Sequence, residues 1–240
     1  MNSATPGRFA ILIPVYNHAD GIGPVIDQAL GLGFPIWVVD DGSTDATAAN
    51  LERIGGIMVI RHEENRGKGA ALLTGFAALA GKADWAITLD ADGQHNPGDI
   101  PGLIRALHAG VRPIVIGRRE GMVGTDVPWT SRFGRKFSNF WVRRAGGPSL
   151  TDTQSGMRIY PLPEAVGLGV RARRFQFEVE ILVRARWAGI PVFEAPVGVS
   201  YTPGMKRVSH FRPFVDFCRN SATFTLLIFL MIMRHGKRGG

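Results

Sequence analysis

The chain has 240 residues, of which 45% are hydrophobic, with a formal charge of +8 and an isoelectric point of about 10.4. That length supports one large α/β domain with a proper core and is short for two. One cysteine, Cys218, excludes an internal disulfide, and no Cys/His spacing offers a zinc site; the basic balance points to acidic partners such as nucleotide sugars, lipid phosphates, an anionic membrane or nucleic acid.

Met1 to Arg8 has neither a charged n-region nor an apolar h-region, so no export signal is expected and the protein is expected at the cytoplasmic side. Phe9-Ala10-Ile11-Leu12-Ile13 reads as a first strand (9–15) ending in Pro14-Val15-Tyr16-Asn17-His18. A helical stretch (20–31) leads to a second strand (35–40), which closes in Asp40-Asp41-Gly42-Ser43-Thr44-Asp45 and passes into a helix (44–54). After a third strand (57–60), Asn65-Arg66-Gly67-Lys68-Gly69 opens a helix (68–80). Glycines there let backbone N–H groups approach a ligand, but the spacing is not a P-loop. Lys68 is therefore a candidate nucleotide contact or, equally, a solvated lysine at a helix start.

A fourth strand (85–89) ends in Asp90-Ala91-Asp92-Gly93-Gln94-His95, followed by a helix (97–108) and a fifth strand (113–117). Strands alternating with helices predict a mainly parallel sheet covered on both faces, with its ligand at the carboxyl ends of the strands. Residues 9–118 form the expected nucleotide-binding half. Asp90 and Asp92 are hard oxygen ligands one residue apart on a strand end, suited to Mg²⁺ or Mn²⁺ held against a nucleotide diphosphate. The competing reading makes them caps of the helix that starts near Pro97.

Beyond Gly117 the alternation stops, and residues 119–205 form the expected acceptor half. Phe133, Phe137, Phe140 and Trp141 recur at helical spacing with Arg132, Arg135 and Lys136 between them, which suits a membrane surface or a core-packed helix with solvated cations. No nucleic-acid-binding motif accompanies the charge, so no specific nucleic acid is expected. Thr151-Asp152-Thr153-Gln154-Ser155-Gly156 is rich in turn formers. Glu178 and Glu180 read as solvated charges, Glu180 pairing with Arg184 four residues on, with Glu178 alternatively lining the acceptor side. Ala222 to Met233 is uncharged but, at twelve residues, shorter than the roughly 20 a membrane span needs. Its cationic flanks predict that 206–240 forms a helix lying in an anionic interface, against burial in a core or dimer.

The motifs I-P-V-Y-N, V-V-D-D-G-S-T-D, N-R-G-K-G-A-A and L-D-A-D-G-Q-H, in that order, resemble the family 2 glycosyltransferases, and among them the dolichyl-phosphate and polyprenyl-phosphate sugar synthases. The resemblance implies one GT-A-type, Rossmann-like domain (1–205) and an inverting, metal-dependent transfer from a UDP- or GDP-sugar to a membrane lipid, foremost a polyprenyl phosphate. It places Pro14, Tyr16 and Asp41 around base and ribose with Asp40 in support, Asp92 on a Mg²⁺ or Mn²⁺ ion completed by Gln94, and Asp90 on sugar or ribose and toward the metal. Arg118, Arg119, Ser131 and Arg132 lie where such synthases hold the lipid phosphate. Lys206 and Arg207 lie where a basic loop closes over the donor diphosphate, although Gly204-Met205-Lys206-Arg207 departs from the usual G-x-S-K form. Asp152 matches the general base of members that transfer to a hydroxyl on a glycan or lipid; with a phosphate acceptor it would orient the site instead. A non-catalytic basic module with structural acids is the alternative of another class, and the oligomeric state is left open.

Overall fold

The computed structural model describes residues 7–120, 129–199 and 213–236, with side chains over 7–120, 133–199 and 219–234. Strands β1 (Phe9–Val15), β2 (Ile36–Asp40), β3 (Ile57–Arg61), β4 (Trp85–Thr88), β5 (Ile114–Arg119), β6 (Arg158–Pro161) and β7 (Val192–Val197) form one sheet in the order β3-β2-β1-β4-β6-β5-β7. All pairings are parallel except those of β6, which runs antiparallel to both β4 and β5. The helices are α1 (Ile22–Leu30), α2 (Thr47–Glu52), α3 (Lys68–Leu79), α4 (Ile100–Arg105), α5 (Trp129–Arg144), α6 (Glu164–Gly167), α7 (Phe177–Trp187) and α8 (Pro213–Gly236).

Central strands buried on both faces read as unbroken apolar runs. In β1, Ile11 and Ile13 join the core beneath α1 and α4, while Ala10 and Leu12 point oppositely into the core under α3 and α7, with Phe76, Phe177 and Ile181. The register sets Val15 beside Asp40 and Leu12 beside Thr88, so the polar ends of β1, β2 and β4 share one rim. The helix expected over 97–108 is shorter: a 3-10 turn at Pro97–Asp99 runs into α4, and the Asn96 side chain caps that turn by accepting from the Gly98 N–H at 2.8 Å. Asp90 and Asp92 are therefore not its caps.

β6 and β7 lie where the sequence offered no alternation. β6 has four residues, all buried, and opens on Arg158. β5 extends through Arg118 and Arg119, past the strand expected over 113–117. Adjacent strand residues point to opposite faces, so these two arginines do not form one fork.

The C-terminal helix is not a detached appendage. Phe224 and Leu227 of α8 are buried with Val142, Ala145, Val179 and Val183 of α5 and α7, and Trp141 stacks on Phe224 with ring centres 6.3 Å apart. The opposite side of α8 carries Leu226, Phe229, Ile232 and Met233, each about half exposed or more, and α5 exposes Phe133 and Phe140. Among the described residues no helix is long and apolar enough to cross a membrane.

Candidate active site

The loops after β1 and β2 are knitted together before any ligand arrives. Asn17, at φ 51°, accepts from the Thr44 N–H at 2.8 Å and donates its own N–H to the Ser43 hydroxyl at 2.9 Å. Asp45 accepts from Thr47 N–H at 2.9 Å and Ala19 N–H at 3.2 Å, bonds that hold its carboxyl below the ordinary range against the opposing effect of burial. Asp40 is wholly buried, accepting from Ser43 N–H at 2.9 Å, with Arg61 Nε 3.3 Å from its second oxygen but outside hydrogen-bond geometry.

Asp41, expected beside base and ribose, is held within the protein. It is 2% exposed. One oxygen meets His62 Nδ1 at 2.7 Å and the Arg66 N–H at 3.0 Å, and the other takes the Gly67 N–H at 2.7 Å. A carboxylate engaged in this way shapes the glycine loop. Pro14 is buried in β1 opposite Val39; Tyr16, half-buried, stays at the rim.

Gly67, at φ 99°, ends that loop, and a side chain there would come within 2.5 Å of the Arg173 carbonyl oxygen. The tight approach brings the start of α3 against α7. Lys68 is neither solvated nor pointed at open space: Nζ lies 2.6 Å from Asp90 Oδ1 and 2.6 Å from Glu178 Oε1. Burial alone would favour the neutral amine, but the two carboxylates outweigh it and hold Lys68 above the usual lysine range. Asp90 is likewise lowered, burial opposing and Lys68 prevailing. Gly156 presses on the same carboxylate, where a Cβ would fall 2.0 Å from Asp90 Oδ2.

Asp92 is half-buried and accepts the Gln94 N–H at 3.0 Å, which closes the Asp-Ala-Asp loop. Among the described residues no three His, Cys, Asp or Glu side chains are grouped to hold a metal ion unaided. Two carboxylates on one loop nevertheless fit a hard cation that takes its remaining ligands from water and a substrate diphosphate.

His95, passed over by the sequence reading, is 5% exposed and its Nδ1 has no hydrogen-bond partner among the described residues. Burial pushes its pKa down, with Arg119 and Lys68 acting in the same sense and Asp90 and Asp152 against it.

Arg119 and Asp152 form a second ion pair. Asp152, fully buried, accepts from Arg119 Nε at 2.7 Å and a terminal nitrogen at 2.8 Å. Burial raises its pKa, but Arg119 overrides this and leaves it below the ordinary value. The turn around it is clamped: Glu194 accepts the Thr151 and Asp152 N–H groups, both at 2.8 Å, and Asn139 accepts the Thr153 hydroxyl at 2.7 Å. Arg158, without exposure, donates to the carbonyls of Thr153, Ser155 and Glu178 at 2.9, 2.6 and 2.9 Å.

Glu178 and Glu180 correct the sequence reading, since both are buried. Glu180 does pair with Arg184, at 2.5 Å, and also accepts the Ala172 N–H at 2.8 Å. Arg118 leaves the constellation to pair with Glu120 at 2.9 Å on the surface. The side chains of Ser131 and Arg132, and all of Lys206 and Arg207, lie outside the described residues.

The model of glycosyl transferase family 2 matches residues 10–162. A UDP-N-acetylglucosamine–dolichyl-phosphate N-acetylglucosaminyltransferase of Methanococcus voltae is 30% identical over 221 residues, covering 80% of this chain and 85% of its own. A polyprenol monophosphomannose synthase of Mycolicibacterium smegmatis is 30% identical over 211 residues, covering 79% and 76%. Among solved structures, glucosyl-3-phosphoglycerate synthase of Mycobacterium tuberculosis, crystallised with Mn²⁺, uridine diphosphate and phosphoglyceric acid, superposes with a TM-score of 0.70. At 19% identity over 94% of this chain and 78% of that one, this is a likeness of fold. The reading as a non-catalytic module falls: spanned by that model from β1 through β6, the chain belongs to glycosyl transferase family 2 and is a glycosyltransferase.

Proposed function

We propose that the enzyme moves a sugar, with inversion, from a nucleoside-diphosphate donor to a polyprenyl phosphate held at an anionic membrane surface. The donor lies along the carboxyl ends of β1, β2 and β4 beside Tyr16, with its diphosphate toward Asp90, Asp92 and Gln94. Those three residues would hold a Mg²⁺ or Mn²⁺ ion, which supplies charge to offset the departing diphosphate. Lys206 and Arg207 would add cationic charge for the same diphosphate.

The observation that carries the choice of acceptor is the Asp152–Arg119 pair. A general base must have an oxygen at liberty and an affinity for protons. Asp152 has both oxygens on one guanidinium and a depressed pKa, which makes it a poor base for a hydroxyl. A lipid phosphate is already ionised near neutral pH and needs a cation instead, and a planar guanidinium held in place by Asp152 suits it. The acceptor phosphate oxygen attacks the anomeric carbon opposite the leaving group. The bond from that carbon to the diphosphate oxygen breaks, its electron pair leaves with the diphosphate, and no proton has to move.

The outer side of α8 favours a membrane setting. Leu226, Phe229 and Ile232 recur every three residues and stand 48%, 57% and 60% exposed, and α5 adds Phe133 next to the acceptor turn, where Gly134 approaches Gln154. With a chain charge of +8, an anionic leaflet is the matching surface. The test incubates the protein with pooled UDP- and GDP-sugars, Mn²⁺ and either polyprenyl phosphate or the unphosphorylated polyprenol, followed by mass spectrometry beside Asp92→Asn. The expected product is a glycosyl phospholipid formed only with the phosphate and absent from the variant. Product from the polyprenol alone would overturn the acceptor assignment.

A further inference from the structure

Lys68 holds a place that the divalent ion would contest. Its Nζ is 2.6 Å from Asp90 Oδ1, an oxygen of the proposed ion site, and it is also 2.6 Å from Glu178, a residue 110 positions away in sequence. Glu178 is fixed independently of Lys68, because it sits in the buried first turn of α7 with its carbonyl on Arg158 at 2.9 Å. The lysine cannot be drawn back by its backbone: a Cβ at Gly67 would meet the Arg173 carbonyl at 2.5 Å, and one at Gly69 would meet Phe177 at 2.6 Å, so the start of α3 is packed against α7 without slack. Its four-carbon stem, by contrast, can pivot between the two acids.

We propose that Lys68 is a built-in counter-ion that competes with the divalent metal for Asp90 and retreats onto Glu178 when the metal binds, so that the Lys68–Glu178 pair sets metal affinity. Like charges a few ångströms apart in a poorly hydrated site repel strongly, so an ammonium on the ligand oxygen opposes the ion directly. Glu178 gives that ammonium somewhere to go without leaving a buried charge unpaired. Lys68 is on this view a positioning residue, and its effect is on the metal equilibrium rather than on the reacting atoms.

The inference rests on the metal site at Asp90 and Asp92, and the test separates the two. Mn²⁺ alone is titrated into the full chain, with free Mn²⁺ read by electron paramagnetic resonance and thermal unfolding followed in parallel. The proteins are wild type, Lys68→Met, Lys68→Gln combined with Glu178→Gln, Asp92→Asn, and Arg173→Gln as an exposed cation on the neighbouring loop. Lys68→Met is expected to bind Mn²⁺ about tenfold more tightly or better, and the paired variant, which balances the lost charge and protects the fold, is expected to tighten in the same direction. Arg173→Gln should leave the dissociation constant within about twofold, because exposed charges are screened. Equal or weaker Mn²⁺ binding by both Lys68 variants, with wild type binding normally, overturns the counter-ion role alone. No binding by wild type or any variant overturns the metal site with it.

Discussion

Gly156→Ala puts the geometry around Asp90 to a sharp test. The added methyl would sit 2.0 Å from Asp90 Oδ2 and 2.5 Å from its Cγ, closer than any real contact. The clash can be relieved in two ways. Either the carboxylate rotates off Lys68 and breaks the 2.6 Å ion pair, or the backbone at 156 retreats and breaks the 2.7 Å bond from the Thr88 hydroxyl to the Gly156 carbonyl. Overpacking at a close-packed position costs about 1–3 kcal/mol. For a domain of this size that lowers Tm by about 2–4 °C for each kcal/mol lost. Displacing Asp90 by about 1 Å should reduce kcat/KM by about two orders of magnitude. Differential scanning fluorimetry gives the first number and a nucleotide-release assay the second. A variant with wild-type Tm and wild-type turnover would refute the placement of Asp90 against the acceptor turn.

Asp152→Asn removes a wholly buried carboxylate from the partly buried Arg119 guanidinium and should cost about 3 kcal/mol by chemical denaturation. Because the folded pKa of Asp152 is depressed, its contribution is complete above the unfolded carboxylate value of about 3.9 and disappears as the pH falls through the lower folded value. The gap between wild type and variant should therefore be widest near neutrality and close below about pH 4; a gap that persists in acid contradicts the ion pair. On α8 the two sides should part company. Phe224→Ala, in the core with Val179 and Val183, is expected to cost about 3–5 kcal/mol. Phe229→Ser combined with Ile232→Ser should leave stability within about 0.5 kcal/mol per site and lower sedimentation with anionic vesicles roughly tenfold or more. Unchanged vesicle binding would remove the membrane role from that surface.

The parts of this molecule legible in the sequence are those whose cause is local. β2 and β4 are apolar runs that stop at acids and β1 is one that stops at Tyr16-Asn17-His18, and both the sheet and its polar rim follow from that pattern. What escaped depends on partners distant in sequence. Glu178 and Glu180 look like solvent-facing charges because nothing in Phe177-Glu178-Val179-Glu180-Ile181 announces Lys68 or the Ala172 N–H, yet this turn is buried on every side. Arg158 hides a strand for the same reason: a four-residue run opening on a cation carries no period-two signal, and its three carbonyl partners appear only once the chain has folded. The side of α8 that packs against α5 and α7 could not be told from the side left open, since both are apolar.

The antiparallel β6 explains why the groups proposed for donor and acceptor meet at all. A parallel strand between β4 and β5 would begin at the far edge of the sheet and deliver its preceding turn away from the ligand. Reversed, β6 starts at the ligand edge, with Arg158 opposite Thr88 on one side and Ile116 on the other. The residues just before it, Asp152 to Gly156, therefore hang between the end of β4, which carries Asp90, and the end of β5, which carries Arg119. Gly156 then touches Asp90 and Asp152 grips Arg119 as consequences of one strand's direction. Arg158 ties this turn to Glu178, Glu178 meets Lys68, and Lys68 returns to Asp90. A path of ion pairs and hydrogen bonds thus runs between the carboxylates proposed for the donor and the guanidinium proposed for the acceptor, and loosening any member should be felt on both sides of the transfer.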